Sequence, residues 1–348
     1  MKTTFISSQA VSQALRYQMA DMQQQLTQAQ TEMVTGKVAD TGLALGAQAG
    51  QAVSLSRDID RLNGLVSSNS LVSTRLTATQ NALDQFSSVA QSFLSTLVTD
   101  STGSVSDSVV QSTAQMALNT ATSALNTNVD GEYIFSGINT DAQPINDFDS
   151  GSPSPKQTLD DSFQTYFGFS PDDPAAANIT ADQMDDFMDN VLEPQFLGGG
   201  WQATWSNASD QPITNRISLN ETAQTSVSAN SEGTRKFMMA ASMISDFFSG
   251  NLSGAAKTAM VGKAASLVGD TQTAITDQQS QIGLVQNRVS DANDRLNSQV
   301  SLFNTHLVSL EGVDQNEAAT KITTLLNQIE TSYTLTARLQ QLSLVNYL

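Results

Sequence analysis

Three groups of side chains in this sequence are of types that could do chemistry, and the first is a single histidine. His306 is the only histidine among 348 residues, and there is no cysteine. An imidazole can act as a general base or bind zinc, but zinc sites are built from about three or four protein ligands. His306 also stands next to Leu307 in a regular helical pattern. We interpret it as a solvated or interface histidine and predict no metal site.

Carboxylates form the second group, because five of them recur at helical spacing over residues 182–193. They are Asp182, Asp185, Asp186, Asp189 and Glu193. Paired carboxylates can hydrolyse glycosides or bind calcium, but this run lacks the loop glycine and the alternating ligands of an EF-hand. The opposite face is apolar and contains Met184, Phe187, Met188 and Val191. The pattern therefore favours an exposed amphipathic helix over a catalytic site.

Glycines and tryptophans form the third group. Gly198–Gly200 is not followed by the Lys-Ser/Thr pair of a phosphate-binding loop, so we interpret it as a flexible turn. Trp201, Ala203 and Trp205 alternate with the period of a strand. Two tryptophans could form a carbohydrate platform, but the core of a small domain is the preferred interpretation. Because no group supports catalysis, we predict that the protein is not an enzyme and holds no cofactor.

The elements that carry these groups are separated by proline. All seven prolines lie between residues 144 and 212, and both flanks contain none. Proline breaks helix interiors, so the flanks can form long helices, whereas the middle is predicted to be a separate insert. Within it, Thr180 and Gln183 are spaced as a capping box that opens a helix over 181–193. The alternation at 213–219 predicts a strand, so the insert is expected to be α+β.

Apolar residues recur every three or four positions in both flanks, as along the face of a helix that packs on another helix. The seam of the first helix contains Leu15, Met19, Met22, Leu26, Ala29 and Met33. Residues 55–97 continue the pattern as one long helix, 107–129 as a shorter one and 282–310 as another long one. Asp314 and Glu317 are spaced as a capping box that opens the last helix. The assembly seam predicted there contains Ile322, Leu325, Ile329, Leu339, Leu342, Tyr347 and Leu348.

These patterns predict a mainly α fold, in which both chain ends form a long antiparallel helical rod or coiled-coil bundle and a small α+β domain is inserted in the middle. The predicted domains are 1–36 with 314–348 (terminal assembly helices), 37–140 with 216–313 (helical rod) and 141–215 (insert). The terminal segments are rich in amides and have a narrow apolar seam. A lone helix of that kind is marginal in water, so we expect both segments to be disordered in the free monomer and to order on assembly.

Four stretches of the chain resemble signatures of the bacterial flagellin superfamily. They are Thr35–Lys37 after the first helix, the Gly-x-Tyr-hydrophobic-Phe-x-Gly pattern of Gly131–Gly137, the Asp-x-x-Glu-Ala pattern of Asp314–Ala318, and Leu342–Leu348. In the family, the second pattern marks where the chain leaves the helical part for the outer domain. The resemblance therefore implies that Gly131, Tyr133, Phe135 and Gly137 form a domain-boundary motif. It does not extend into 141–215.

The resemblance also favours one branch of the superfamily. Leu342–Leu348 is similar to the hook-associated type, which tends to finish Ser-Leu-hydrophobic-Asn/Asp-Tyr-hydrophobic, whereas filament flagellins usually finish Leu-Ser-Leu-Leu-Arg. Val38–Gly46 lacks the arginine and the paired acids that filament flagellins carry there. This implies a hook–filament junction adaptor between hook-associated protein 1 and flagellin. A minor flagellin that forms the filament is the nearest alternative, and an intracellular coiled-coil scaffold is an alternative of another class.

The implied location is the extracellular flagellum, reached through the type III export apparatus with an export chaperone, followed by self-assembly into a ring of like subunits. Met1–Ser8 has one lysine and no apolar core, so we expect no cleavable signal. The net charge of −18 and the lack of a long apolar run argue against nucleic acid and membrane partners. Only 14% of residues are charged, whereas coiled-coil scaffolds carry dense charge beside the seam.

Overall fold

The structure is a computed structural model that describes residues 8–101, 105–248 and 251–345, and the side chains among these from 10 to 338. The chain folds as two compact units. The terminal unit comprises Met1–Gly64 and Arg295–Leu348, and the central unit comprises Leu65–Asp294.

Helices dominate the described residues. In chain order they are α1 (Ser8–Thr35), α2 (Thr41–Leu45), α3 (Ala49–Asp100), α4 (Asp107–Leu125), α5 (Pro155–Phe167), α6 (Ala181–Phe187), α7 (Glu193–Leu197), α8 (Gly200–Thr204), α9 (Glu232–Phe247), α10 (Gly254–Glu311) and α11 (Gln315–Val345). The strands are β1 (Asn128–Val129), β2 (Glu132–Tyr133), β3 (Thr214–Ser218) and β4 (Glu221–Gln224). Short 3-10 turns span Gly46–Gln48 and Pro174–Asn178, and a π-helical turn spans Met188–Leu192.

In the terminal unit, helices from both ends of the chain pack on each other. The start of α3 lies against the end of α10 around Ala52, Ile59 and Leu307, which form a small buried cluster. The helix α1 runs antiparallel to α11, since Gln23 Nε2 donates to the Tyr333 hydroxyl at 3.2 Å while the residues after α1 meet the residues before α11. The predicted meeting of the first and last helices is therefore present.

In the central unit, the rest of α3 and α10 packs with α4 and α9 around one continuous apolar core. Phe237 of α9 contacts Phe86 of α3 edge to face, with 4.9 Å between ring centroids. Lys236 of α9 pairs with Asp270 of α10 at 2.9 Å. The middle of α9, residues 237–244, is buried on every side, as its apolar sequence with three methionines requires.

The segment between α4 and α9 holds the remaining short elements. The hairpin β1–β2 turns at Asp130 and Gly131, whose φ angles of 54° and 90° fit the two-residue turn preferred between antiparallel strands. The hairpin β3–β4 has a register shift between Arg216 and Ser218 that leaves Ile217 outside the ladder. The structure thus confirms the mainly α fold with a small strand-containing region in the middle.

Two local predictions were wrong. Trp201–Trp205 is not a strand, because Gly200–Thr204 is α8 and the Trp205 amide donates to the Trp201 carbonyl at 2.8 Å. Residues four apart share a face in a helix as well as in a strand, so the alternation did not distinguish them. The second error concerns the start of α11, where Asp314 Oδ1 accepts from the amide of Asn316 at 2.8 Å rather than from that of Glu317.

Other local predictions were confirmed. Thr180 and Gln183 form the capping box that opens α6. The long helix predicted over 55–97 lies inside α3, and the strand predicted at 213–219 contains β3. The helix predicted over 107–129 ends earlier, at Leu125, because the chain turns into β1. Among the helices that the structure describes, none has both the length and the hydropathy needed to cross a bilayer.

Candidate assembly surface

The surface built by α1 and α11 is the candidate functional site. In α1, the predicted seam residues Leu15, Met19, Met22 and Leu26 are half-buried, and Met33 is exposed. Ala29 is the one residue of α1 that is buried among its described side chains. The seam thus faces α11 but does not form a dry core.

The facing side of α11 is similar. Leu325 and Ile329 are buried and Ile322 is half-buried, whereas the side chains of Leu339 and Leu342 lie outside the described ones. Tyr347 and Leu348 lie outside the described residues altogether. Whether these seams serve assembly stays a prediction.

A pair of helices can bury only one face of each, and this pair leaves apolar side chains of both helices in solvent. Large apolar side chains with exposed fractions of 44–82% are Tyr17, Met33, Val34, Leu326, Tyr333 and Leu335. An open groove of about 590 Å³ lies along the pair and is lined mainly by polar side chains, including Gln18 and Asp21 of α1 and Asn327 of α11. Exposed apolar patches flanked by polar groups are typical of surfaces that contact protein partners.

The turn after α1 is joined to the turn before α11 by backbone hydrogen bonds. The Val38 amide donates to the Glu311 carbonyl at 2.8 Å, and the Val313 amide donates to the Gly36 carbonyl at 3.0 Å. Lys37 Nζ lies 3.4 Å from the Glu311 carboxylate. We call residues 36–38 with 311–313 the terminal clamp. It fixes the ends of α1 and α10 relative to each other and sets the direction in which α11 starts.

The domain-boundary motif lies in the central unit, where β2 leads into the insert. Arg75 of α3 reaches Glu132 at 2.6 Å and the Tyr133 carbonyl at 3.3 Å, which holds the β1–β2 hairpin on the helix. Phe135 is buried, and its carbonyl accepts from the Ala229 amide at 2.8 Å. At Gly137, a Cβ would lie 2.4 Å from the carbonyl oxygen of Ser209, so a side chain is excluded. Glycine at this position permits the close approach of two backbone segments.

The histidine and the carboxylates that could do chemistry lie on the surface of the protein. His306 is exposed on α10. The carboxylates of 182–193 lie on the outer side of α6 and the turns after it, and Lys263 of α10 pairs with Asp189 at 2.6 Å and with Glu193 at 3.0 Å. Burial lowers the pKa of Lys263, but the hydrogen bonds to these two carboxylates raise it by more, so the pKa lies above its ordinary value. No group of three or more potential metal ligands occurs among the described residues.

The two tryptophans are buried together rather than exposed as a platform. Their rings stack with 6.0 Å between centroids and an interplanar angle of 3°. Trp201 Nε1 donates to Asn230 Oδ1 at 2.7 Å, and the Ser206 hydroxyl donates to the same oxygen at 2.6 Å. The core interpretation is thus confirmed.

Sequence reasoning missed two buried polar sites of the central unit. Asn69 of α3 is fully buried and donates to the Ile217 carbonyl at 2.8 Å and to Asn293 Oδ1 at 2.9 Å. Asp246 of α9 pairs with Lys156 of α5 at 2.5 Å, and its side chain is only 6% exposed. Burial raises the pKa of Asp246 to about 7, the neighbouring Asp160 adds to this, and Lys156 opposes it. A polar residue on an otherwise apolar helix face was the only available signal.

Comparisons with known proteins extend these observations. Residues 6–140 match the N-terminal helical region of bacterial flagellin, and residues 265–348 match its C-terminal helical region. The fold is similar to that of a protein from Vibrio parahaemolyticus described as flagellar hook-associated, with a TM-score of 0.52 and 12% identity. That alignment covers 76% of this chain and 97% of the other. No curated protein matches the chain by sequence.

Proposed function

Because the chain belongs to the flagellin superfamily and is a structural subunit of the bacterial flagellum, we propose that it is the adaptor that joins hook-associated protein 1 to the flagellin filament. In this role it forms a ring of like subunits between two different protein lattices. Flagellins are structural proteins, so the proposal requires contact surfaces and no active site. Residues 1–36 and 314–348 act as assembly helices, and 141–215 as the outer domain.

The observation that carries the junction role is the sequence Leu342–Leu348, which has the Asn-Tyr-hydrophobic pattern of hook-associated subunits. The structural neighbour described as hook-associated agrees with it, although at 12% identity the likeness concerns the fold. The lack of the arginine and paired acids in Val38–Gly46 supports the same branch. In the structure this stretch contains α2, whose first turn is capped by Asp40 accepting from the Leu43 amide at 2.9 Å.

The exposed apolar residues of α1 and α11 support assembly through the chain ends. Val34 and Tyr17 are 82% and 75% exposed, and burying side chains of this size contributes roughly 1.5–3 kcal/mol each. The protein gains this free energy only when neighbouring subunits of the ring cover these side chains. In this proposal the domain-boundary motif Gly131–Gly137 marks the point where the chain leaves the helical rod for the outer insert.

Deleting the gene tests the junction role directly. We expect intact hooks without filaments and unpolymerised flagellin in the medium, both reversed by the wild-type gene. Normal filaments in the deletion strain would refute the proposal, and shortened filaments would favour the minor flagellin. A protein that stays in the cytoplasm of wild-type cells would instead favour the coiled-coil scaffold.

A complementing variant that lacks Leu342–Leu348 tests the observation itself. We expect it to be exported but not retained at the hook tip, so that filaments stay absent. A matched control replaces the exposed His306 by Gln, which should restore filaments fully.

A further inference from the structure

The insert contains an open pocket with a volume of about 440 Å³, which lies within the range of roughly 300–1,000 Å³ typical of small-molecule sites. It is bounded by the end of α5, the 3-10 turn Pro174–Asn178 and the first turn of α6. Its principal lining residues are Tyr166, Phe167, Phe169, Asn178, Ile179 and Gln183. We call it the aromatic pocket. It lies in the part of the chain that neither flagellin match covers.

Three aromatic side chains line the pocket, and we call them the aromatic wall. Phe167 and Phe169 are half-buried, with 6.1 Å between centroids and 33° between planes. Tyr166 meets Phe167 edge to face, with 4.8 Å between centroids and 80° between planes, and its hydroxyl donates to the Asp186 carboxylate. The ring of buried Phe163 packs against that of Phe167, with 4.5 Å between centroids, and supports the aromatic wall. The rings are therefore positioned before any ligand arrives.

Two side-chain amides complete the lining; both residues are exposed, and part of their hydrogen-bonding capacity has no protein partner. Gln183 Oε1 accepts from the Thr180 amide at 3.0 Å in the capping box, which fixes the side chain. Gln183 Nε2 donates to no group in the described part of the chain, and the Asn178 side chain makes no hydrogen bond within the same residues. A free amide offers both N–H donors and a carbonyl acceptor. The pocket thus combines an apolar ring wall with neutral donors and an acceptor.

This combination fits a ligand with a flat apolar face and a hydroxylated edge, which is the chemistry of a pyranose ring. Anionic ligands are disfavoured, because the sequence has ten acids and no base between Lys156 and Arg216. We propose that the aromatic pocket binds one ring of a neutral carbohydrate, with the ring face on the aromatic wall and its hydroxyls on Asn178 and Gln183. A proline-rich peptide also favours aromatic grooves, but its prolines have no N–H to donate to the side-chain carbonyl of Asn178.

The full-length protein is tested with methyl glycosides of glucose, galactose, mannose and N-acetylglucosamine as probes, by saturation-transfer NMR and titration. We expect saturable binding of at least one probe. Gln183→Glu keeps the acceptor of the capping box but removes the free donor and adds negative charge. It should weaken binding about tenfold, equivalent to about 1.4 kcal/mol.

The control is Gln157→Glu, the same change in the capping box of α5, whose glutamine does not line the pocket. It should leave the affinity unchanged, and both variants should keep the melting temperature of the wild type. Absence of saturable binding of all four glycosides would overturn the proposal, as would equal affinities of the wild type and Gln183→Glu. Binding of an oligoproline peptide but of no glycoside would overturn it in favour of a peptide site.

Discussion

The amide of Val313 donates to the carbonyl oxygen of Gly36 at 3.0 Å, although 277 residues separate them in the chain. Together with the bond from Val38 to Glu311, it ties the turn after α1 to the turn before α11. The clamp matters because the helices that it positions have little burial of their own. Among the described residues of the terminal unit, these backbone bonds connect segments from opposite ends of the chain.

Replacing Gly312 by alanine should loosen the clamp. A Cβ at Gly312 would lie 2.4 Å from the Val308 carbonyl oxygen, which already accepts from the Gly312 amide at 2.7 Å. Overpacking of this kind costs about 1–3 kcal/mol, so hydrogen exchange at the Val38 and Val313 amides should accelerate by roughly 5- to 150-fold. As a control, Gly283→Ala places its Cβ in open space on α10 and should leave exchange in the clamp unchanged. Unaltered exchange at these amides in Gly312→Ala would contradict the prediction that close packing at Gly312 holds the clamp together.

Replacing Asn69 by leucine should destabilise the central unit. The bulge in β3 leaves the Ile217 carbonyl outside the ladder, and Asn69 Nδ2 is its donor at 2.8 Å. Loss of that donor should lower the free energy of unfolding by about 1–3 kcal/mol, partly offset because the unpaired Oδ1 of Asn69 is removed as well. Urea unfolding measures this change. Asn119→Leu on the exposed side of α4 is the matched control and should shift stability by less than about 0.5 kcal/mol.

Asp246 should make the stability of the central unit fall as the pH rises. Burial raises the pKa of Asp246 in the folded state to about 7, above its ordinary value of 3.8, so the folded protein binds a proton more tightly between these values. The contribution of Asp246 to the free energy of unfolding should therefore decrease from pH 4 to pH 7 by an amount on the order of 2–4 kcal/mol and then level off.

Urea unfolding of the wild type and of Asp246→Asn across this pH range measures the effect. The difference in free energy of unfolding between the two proteins should decrease as the pH rises, because asparagine cannot titrate. Asp161→Asn, at an exposed position on α5, is the control and should leave the slope in place. Parallel curves for the wild type and Asp246→Asn would refute the assignment.

How far the sequence predicted this fold depends on the range of the interactions. Helix α3 was predictable because Leu76, Phe86 and Leu97 follow local helical spacing, and all three are buried. The contact of Asn69 with Ile217 spans 148 residues and leaves no local pattern. Tertiary packing also determined the secondary structure of Trp201–Trp205, because the spacing of its apolar residues fits a helix and a strand equally. The aromatic pocket could not be predicted, because it needs three separate elements to converge.

The terminal helices should exchange their amide hydrogens much faster than the central helices in the free protein. In α9, eleven of sixteen residues are buried, whereas α1 has Ala29 as the one buried residue among its described side chains. Opening α1 and α11 therefore exposes little new apolar surface and costs little free energy. We expect exchange at least about 100-fold faster in α1 and α11 than in α9, equivalent to roughly 2.7 kcal/mol. When the protein is assembled at the hook tip, α1 and α11 should show protection close to that of α9. Equal protection of the three helices in the free protein would contradict folding of the ends on assembly.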